Sequence, residues 1–194
     1  DNESDDEYQN VECDNYIDEN INIKIIDFGN AKMKNNIEEE EIYTRIYRPP
    51  ENILDNTYDK ESDIWVLGCF LYELITLNPL FEIECEDNND FGRDKEHLSK
   101  MSLILGKLPK DMILNSEYSD DIFDSHGKIR NNKKLGLMID RDLRKELLYR
   151  IKKDRIKIED NDIDLIEDLI YKMLEYKPDK RIKLDDILKH KLFN

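Results

Sequence analysis

Apolar residues at Ile21, Ile23, Ile25 and Ile26 are interleaved with polar neighbours, and the pattern stops at Asp27. A period of two predicts a strand over 22–26. The polar stretch that follows, with few apolar positions, predicts a long loop over 27–49. It ends at Pro49-Pro50, where consecutive prolines exclude a regular helix or a central strand; 51–54 then opens a short helix. From Ser62 and Asp63 the period changes. Ile64, Trp65, Leu67, Leu71, Leu74 and Ile75 recur at helical spacing, predicting a helix over about 62–77 that Asn78-Pro79 ends. Gly68, Cys69, Phe70 and Tyr72 fill the gaps between them, so this helix is apolar on most sides and is expected to be the buried axis of the domain.

Beyond a polar connection over 82–94, Leu98, Met101, Ile104 and Leu105 predict another helix, stopped by Gly106 and Pro109. Turn-forming residues such as Gly127, Asn131, Asn132 and Gly136 predict loops and short helical pieces over 115–136. A charged amphipathic helix follows over 143–151. Ile163, Ile166, Leu169, Ile170, Met173 and Leu174 give the clearest amphipathic pattern of the C-terminal part; Pro178 interrupts it, and Leu184, Ile187 and Leu188 make a last helix. The fold class is therefore mainly α, and no internal repeat occurs.

A 194-residue chain with 39% hydrophobic residues is long enough for one domain with a sizeable core. Its formal net charge is -16. Much of the excess lies at the start, between Asp1 and Glu19, with no Lys or Arg among residues 1–20. Self-repulsion and few apolar groups make 1–20 a disordered acidic tail, and the folded body is expected over 21–194. Such a charge disfavours direct binding of nucleic acid and favours basic peptides. Cys13, Cys69 and Cys85 lack metal-ligand spacing and suggest free thiols in a reducing compartment. With no apolar run of membrane-spanning length and an N-terminus unlike a signal peptide, an intracellular location is expected, cytoplasmic or nuclear, without membrane contact.

Two short motifs change the picture. Asp27-Phe28-Gly29 follows the predicted strand, and Thr44-Arg45-Ile46-Tyr47-Arg48-Pro49-Pro50-Glu51 follows it after an acidic run, Glu38 to Glu41. That run is read as a solvated loop. Asp27-Phe28-Gly29 alone means little more than a turn after a strand. Together the two motifs resemble the activation segment of a eukaryotic-type protein kinase, here 27–51, with Pro49-Pro50-Glu51 in place of the usual Ala-Pro-Glu. The resemblance runs from about Ile23 to Phe193 and implies a protein-kinase-like C-terminal lobe, a fragment of the two-lobed α+β kinase fold. It includes Asp63-Ile64-Trp65 with Gly68, Pro178-Asp179-Lys180-Arg181, and a closing His190-x-x-Phe193 that serves packing.

The resemblance also implies roles. Asp27 would hold Mg2+ against the phosphates of ATP, with Phe28 and Gly29 shaping the cofactor site. Thr44 would contact the catalytic aspartate and marks Ser/Thr specificity, and Asp63 would support the catalytic loop; on spacing alone that role and an ordinary helix cap are comparable readings of Asp63. Thr44, Arg45, Tyr47 and Arg48 would form the pocket for the protein substrate. Glu51 and Arg181 would form a structural ion pair. Among kinases, Phe91-Gly92-Arg93-Asp94-Lys95-Glu96-His97-Leu98 and Leu105-Gly106-Lys107-Leu108-Pro109 are most similar to the SR-protein kinases, in the group with the cyclin-dependent, MAP and dual-specificity kinases. Those kinases hold Arg-Ser-rich substrates on an acidic groove. Glu96 aligns with one of its carboxylates or is one more solvated charge, while Leu103 and Asn78 stand where two others are expected. His97 and His126 read as ordinary histidines.

The glycine-rich loop, the strand lysine with its glutamate, and a His-x-Asp catalytic loop do not precede Asp27. The segment alone is therefore expected to be inactive, with the N-terminal lobe and catalytic base encoded upstream in a parent chain that transfers the ATP γ-phosphate to Ser or Thr. The alternative is a non-catalytic, kinase-like platform, a pseudokinase, that binds basic peptides.

Overall fold

The computed structural model describes residues 22–32, 43–84, 90–116, 119–127, 129–130 and 142–193. The acidic tail over 1–20 and the run Glu38 to Glu41 lie outside these residues, as do Cys13 and Cys85. The chain divides into two units, Asp1–Ala31 and Lys32–Asn194.

In the first unit, residues 22–27 carry no regular structure, and a single 3₁₀ turn spans Phe28–Asn30. The strand expected over 22–26 is not formed. A strand is defined by its ladder, and no described segment pairs with this one. Ile23, Ile25 and Ile26 are correspondingly exposed, at 86%, 81% and 78%.

The second unit is helical: α1 Pro50–Asp55, α2 Lys60–Thr76, α3 Asp90–Leu105, α4 Lys110–Asn115, α5 Ser119–Ile122, α6 Leu143–Lys153, α7 Asp160–Met173 and α8 Leu184–Ile187. Among the described residues the only β feature is an isolated antiparallel bridge between Phe123 and Ile129. No described helix is long and apolar enough to cross a membrane.

Helix α2 starts earlier than its apolar pattern suggests, because its N-cap is Asp59 and not Ser62 or Asp63. The Asp59 carboxylate accepts from the backbone N–H of Glu61 and Ser62, and the Ser62 hydroxyl accepts from Asp59 N–H, closing a capping box. At the other end Leu77, in the left-handed region at φ 56°, takes the C-cap. Between these ends α2 packs chiefly against α7, where Gly68 lies under Met173 and Leu174. Trp65, fully buried, stacks on Phe81 and meets the tilted ring of Tyr176, with ring centroids 6.1 Å away in each case. The core continues through Leu98, Met101, Leu143, Leu147, Ile166 and Ile170.

The expectation of burial around most of α2 is corrected. Leu67, Phe70 and Leu74 are 40%, 46% and 58% exposed, so one side of the helix is packed and another is not. Helix α3 also begins earlier than its apolar residues indicate, at Asp90, inside the stretch expected to be a connection.

Candidate functional site

Pro50 occupies the first position of α1, where its missing N–H is no loss and its fixed φ suits a helix start. Glu51 thereby falls in the first turn of α1, buried at 5% exposure. A carboxylate there needs partners, since a lone buried charge is very costly. Its Oε1 accepts from Arg181 Nη1 at 2.7 Å and from Ser62 Oγ at 2.8 Å, and its Oε2 accepts from Arg181 Nη2 at 2.6 Å. Arg181 is satisfied at every remaining N–H. Nε donates to the carbonyl of Glu175 (2.7 Å), Nη1 to that of Glu61 (3.0 Å) and Nη2 to that of Tyr176 (3.1 Å). The guanidinium lies over the Trp65 ring, 5.1 Å from its centroid. This fully paired ion pair ties α1 and the start of α2 to the 3₁₀ turn at Pro178–Lys180.

Segment 43–49 enters α1 from the other side. A 3₁₀ turn at Arg45–Tyr47 is closed by Tyr47 N–H to Thr44 O (2.9 Å) and Arg48 N–H to Arg45 O (3.2 Å). Its side chains fasten it to two helices. The Tyr43 hydroxyl donates to Asp63 Oδ1 of α2 at 3.0 Å, and burial with that carboxylate pushes the phenol pKa up. Tyr47 donates to Glu73 Oε2, also of α2, at 2.7 Å, and this hydrogen bond, with burial, pushes its pKa up to about 12. Arg45 reaches α3, pairing with Asp90 at 3.0 Å and with Asp94. Arg48, 9% exposed, donates from Nε to the carbonyl of Tyr43 at 3.0 Å.

Of the residues expected to meet substrate, then, Arg45, Tyr47 and Arg48 have side chains turned into the protein, and Thr44 is exposed. Asp63 is exposed too and takes the tyrosine hydroxyl instead of capping α2. Glu96 lies apart on α3, where its Oε1 accepts from Glu84 N–H at 3.0 Å and pairs with Lys100 at 3.0 Å. Asn78 is held between Arg150 and Asp154. His97 is fully buried against Phe81, and His190 Nε2 lies 2.8 Å from Asp168.

In the first unit Asp27 has φ 63° and an exposed side chain. That left-handed conformation is one aspartate tolerates better than most residues. It is also where a short carboxylate can be aimed outward from a turn. Phe28 is 67% exposed, and the nearest neighbour a Cβ on Gly29 would meet is Asp27 Oδ1, at 3.6 Å. An exposed carboxylate is a suitable donor for a hard cation such as magnesium, which takes one or two protein carboxylates beside water and phosphate oxygens. Among the described residues no group of three His, Cys, Asp or Glu could hold a metal by itself.

Sequence reasoning missed Tyr43, Glu73, Asp90 and Asp94, the groups that anchor 43–49. For α3 a signal existed: Asp90, Asp94 and His97 stand at helical spacing ahead of Met101.

The protein kinase domain model matches residues 9–193. Curated relatives include the serine/threonine-protein kinase SKY1 of Saccharomyces cerevisiae, 33% identical over 95% of this chain and 24% of its own length. The serine/threonine-protein kinase SRPK of Physarum polycephalum is 30% identical over 87% of this chain and 37% of its own. The human SRSF protein kinase 3 is 30% identical over 90% and 29%. The chain thus spans between 24% and 37% of the length of these relatives. A kinase-domain crystal structure matches with a TM-score of 0.69 at 29% identity, covering 88% of this chain and 47% of that one. With a family model matched along almost its whole length, and a helical fold shared with a solved kinase domain, this chain belongs to the protein kinase domain family.

Proposed function

We propose that this chain is the C-terminal-lobe part of a serine/threonine protein kinase that transfers the ATP γ-phosphate to Ser or Thr hydroxyls of a basic, Arg-Ser-rich protein substrate. The observation that carries the reading is the closed, internally anchored segment 43–51. It runs from exposed Thr44 to Glu51, and the Glu51–Arg181 pair locks its end to the helical body. Phosphoryl transfer depends mainly on positioning and electrostatics, so a substrate-facing segment must be rigid before substrate arrives. The likeness to SR-protein kinases, together with a formal charge of -16, supports the basic substrate.

In this reading Asp27 is a magnesium ligand, flanked by Phe28 and Gly29, and magnesium would neutralise charge on the ATP phosphates. Thr44 orients the catalytic aspartate, Asp63 supports the loop carrying it, and Thr44, Arg45, Tyr47 and Arg48 shape the substrate pocket. Arg45, Tyr47 and Arg48 do so through the backbone they fix. Glu96, already paired with Lys100, contributes to substrate docking through its remaining oxygen. The ATP lobe and catalytic base come from the rest of the kinase, and residues 1–194 alone transfer no phosphate. The reading includes an intracellular location, cytoplasmic or nuclear, which the buried free thiol of Cys69 supports.

The test is a radiolabelled-ATP transfer assay on the protein carrying this chain, with Arg-Ser-rich and unrelated peptides side by side. Transfer to the Arg-Ser-rich peptide, abolished by Asp27→Asn, is expected. The large negative charge also favours a second reading, a non-catalytic platform for basic peptides. Peptide binding unaltered by Asp27→Asn, with no transfer by either form, would establish the platform and overturn the enzyme.

A further inference from the structure

Tyrosine hydroxyls of segment 43–49 fasten it to α2, and Arg45 fastens it to α3. Its partners, Asp90 and Asp94, lie four residues apart and therefore on one face of the first two turns of α3. The two contacts differ in weight. Arg45 and Asp94 have side chains only 16% and 19% exposed, whereas Asp90 is 68% exposed. The Arg45–Asp94 pair is therefore shielded from solvent and weakly screened, and the Asp90 contact is a surface pair of small effect.

Asp94 also lies about one helical turn before His97 on α3. His97, three residues on, is fully buried, and neither ring nitrogen has a hydrogen-bond partner. Arg45, Arg48 and Lys100 lie close enough to oppose its protonation. Removing the Asp94 charge would leave Arg45 paired on α3 with the largely exposed Asp90. The side chain would turn toward water, and its backbone would follow. That backbone closes the 3₁₀ turn, since Arg45 O accepts from Arg48 N–H at 3.2 Å and the adjacent Thr44 O accepts from Tyr47 N–H at 2.9 Å.

We propose that Asp94, acting through Arg45, is a positioning residue for the protein substrate: it fixes the backbone of 43–49 from the start of α3. The inference rests on the reading above that 43–49 faces the substrate. Asp94 acts on the segment through Arg45, so its removal should affect protein-substrate binding and spare nucleotide binding.

The experiment uses the full-length kinase carrying this chain, as Asp94→Asn, which keeps size and removes charge, and Asp94→Glu, which keeps charge. Asp94→Asn is expected to raise the KM for a protein substrate about tenfold, the scale set by losing one charge-assisted hydrogen bond. The KM for ATP should not change, and Asp94→Glu should restore most of the loss. In the same proteins, hydrogen exchange should speed up in the peptide covering 43–49 in Asp94→Asn and stay unchanged in α7. A protein-substrate KM unaltered by Asp94→Asn, or a parallel rise in both KM values, would overturn the proposal. Absence of transfer by the unsubstituted protein would overturn the functional reading instead. Exchange would then decide by itself whether Asp94 fixes the segment.

Discussion

Arg181 and Glu51, 130 residues apart in sequence, share two hydrogen bonds of 2.7 and 2.6 Å in the interior of the helical unit. Neither charge reaches water to any extent, with side-chain exposures of 0% and 7%. A buried pair of this kind is weak evidence of net stabilisation, but each partner makes the other tolerable.

Arg181→Met should accordingly be severe. It leaves the Glu51 carboxylate with the Ser62 hydroxyl alone and opens three backbone carbonyls, at a cost of roughly 3–5 kcal/mol. Glu51→Leu combined with Arg181→Met removes both charges and should cost less than the sum of the single changes. Urea unfolding of the four forms measures both the penalty and the coupling; additive losses would show that the two side chains do not depend on one another.

Gly68→Ala tests the crossing of α2 and α7. A Cβ at this position would lie 2.9 Å from Met173 Cβ and 3.0 Å from Leu174 Cδ2. Alanine gains about 1 kcal/mol in helix propensity, but Met173 Cβ cannot yield unless α7 shifts, and overpacking costs about 1–3 kcal/mol. A net loss of stability is expected, read as a lower urea midpoint. An unchanged or raised midpoint would mean that the helices can separate freely.

Much of the helical body is legible in the pattern, because α2, α6 and α7 carry apolar residues at helical spacing and their burial follows from it. Helix starts are less legible. Asp59 caps α2 and Asp90 opens α3 in polar stretches, about which apolar spacing says nothing. The strand over 22–26 fails for a different reason: alternation records a capacity to pair, and pairing needs a neighbour that these isoleucines lack among the described residues. In the candidate site, Thr44-Arg45-x-Tyr47-Arg48 stands out in the sequence, but the direction of its side chains does not. Whether an arginine meets a substrate or an aspartate of α3 depends on tertiary placement that no local spacing encodes.

Asp59→Ala should loosen the start of α2. The carboxylate accepts from two of the first N–H groups of the helix, and the return bond from Asp59 N–H to Ser62 Oγ completes the box. Losing such a cap costs about 1 kcal/mol. Because the same Ser62 hydroxyl donates to Glu51, faster hydrogen exchange at Glu61 and Ser62 should extend to α1. Exchange altered at neither place would remove Asp59 as the cap.

His97 predicts a specific pH dependence of stability. Burial, and then the charges of Arg45, Arg48 and Lys100, push its pKa down to about 3 from the ordinary 6.5. Below pH 6.5 the unfolded chain takes up a proton that the folded chain refuses. The stability from keeping His97 neutral is therefore complete above the unfolded pKa and is lost as pH falls toward the folded one. The slope in that window is about 1.4 kcal/mol per pH unit, so the drop from about pH 6.5 to about pH 5 is roughly 2 kcal/mol. Asp111 and Asp168, whose carboxyls are held low by Lys177 and Lys172, add their own losses only in more acid solution. His97→Leu, which fills the slot beside Phe81 without a titrating group, should flatten urea midpoints between about pH 6.5 and 5 while keeping the steeper fall below. If wild type and variant share one slope across that window, His97 is reaching water or a partner, and its orphaned nitrogens are not a property of the folded state.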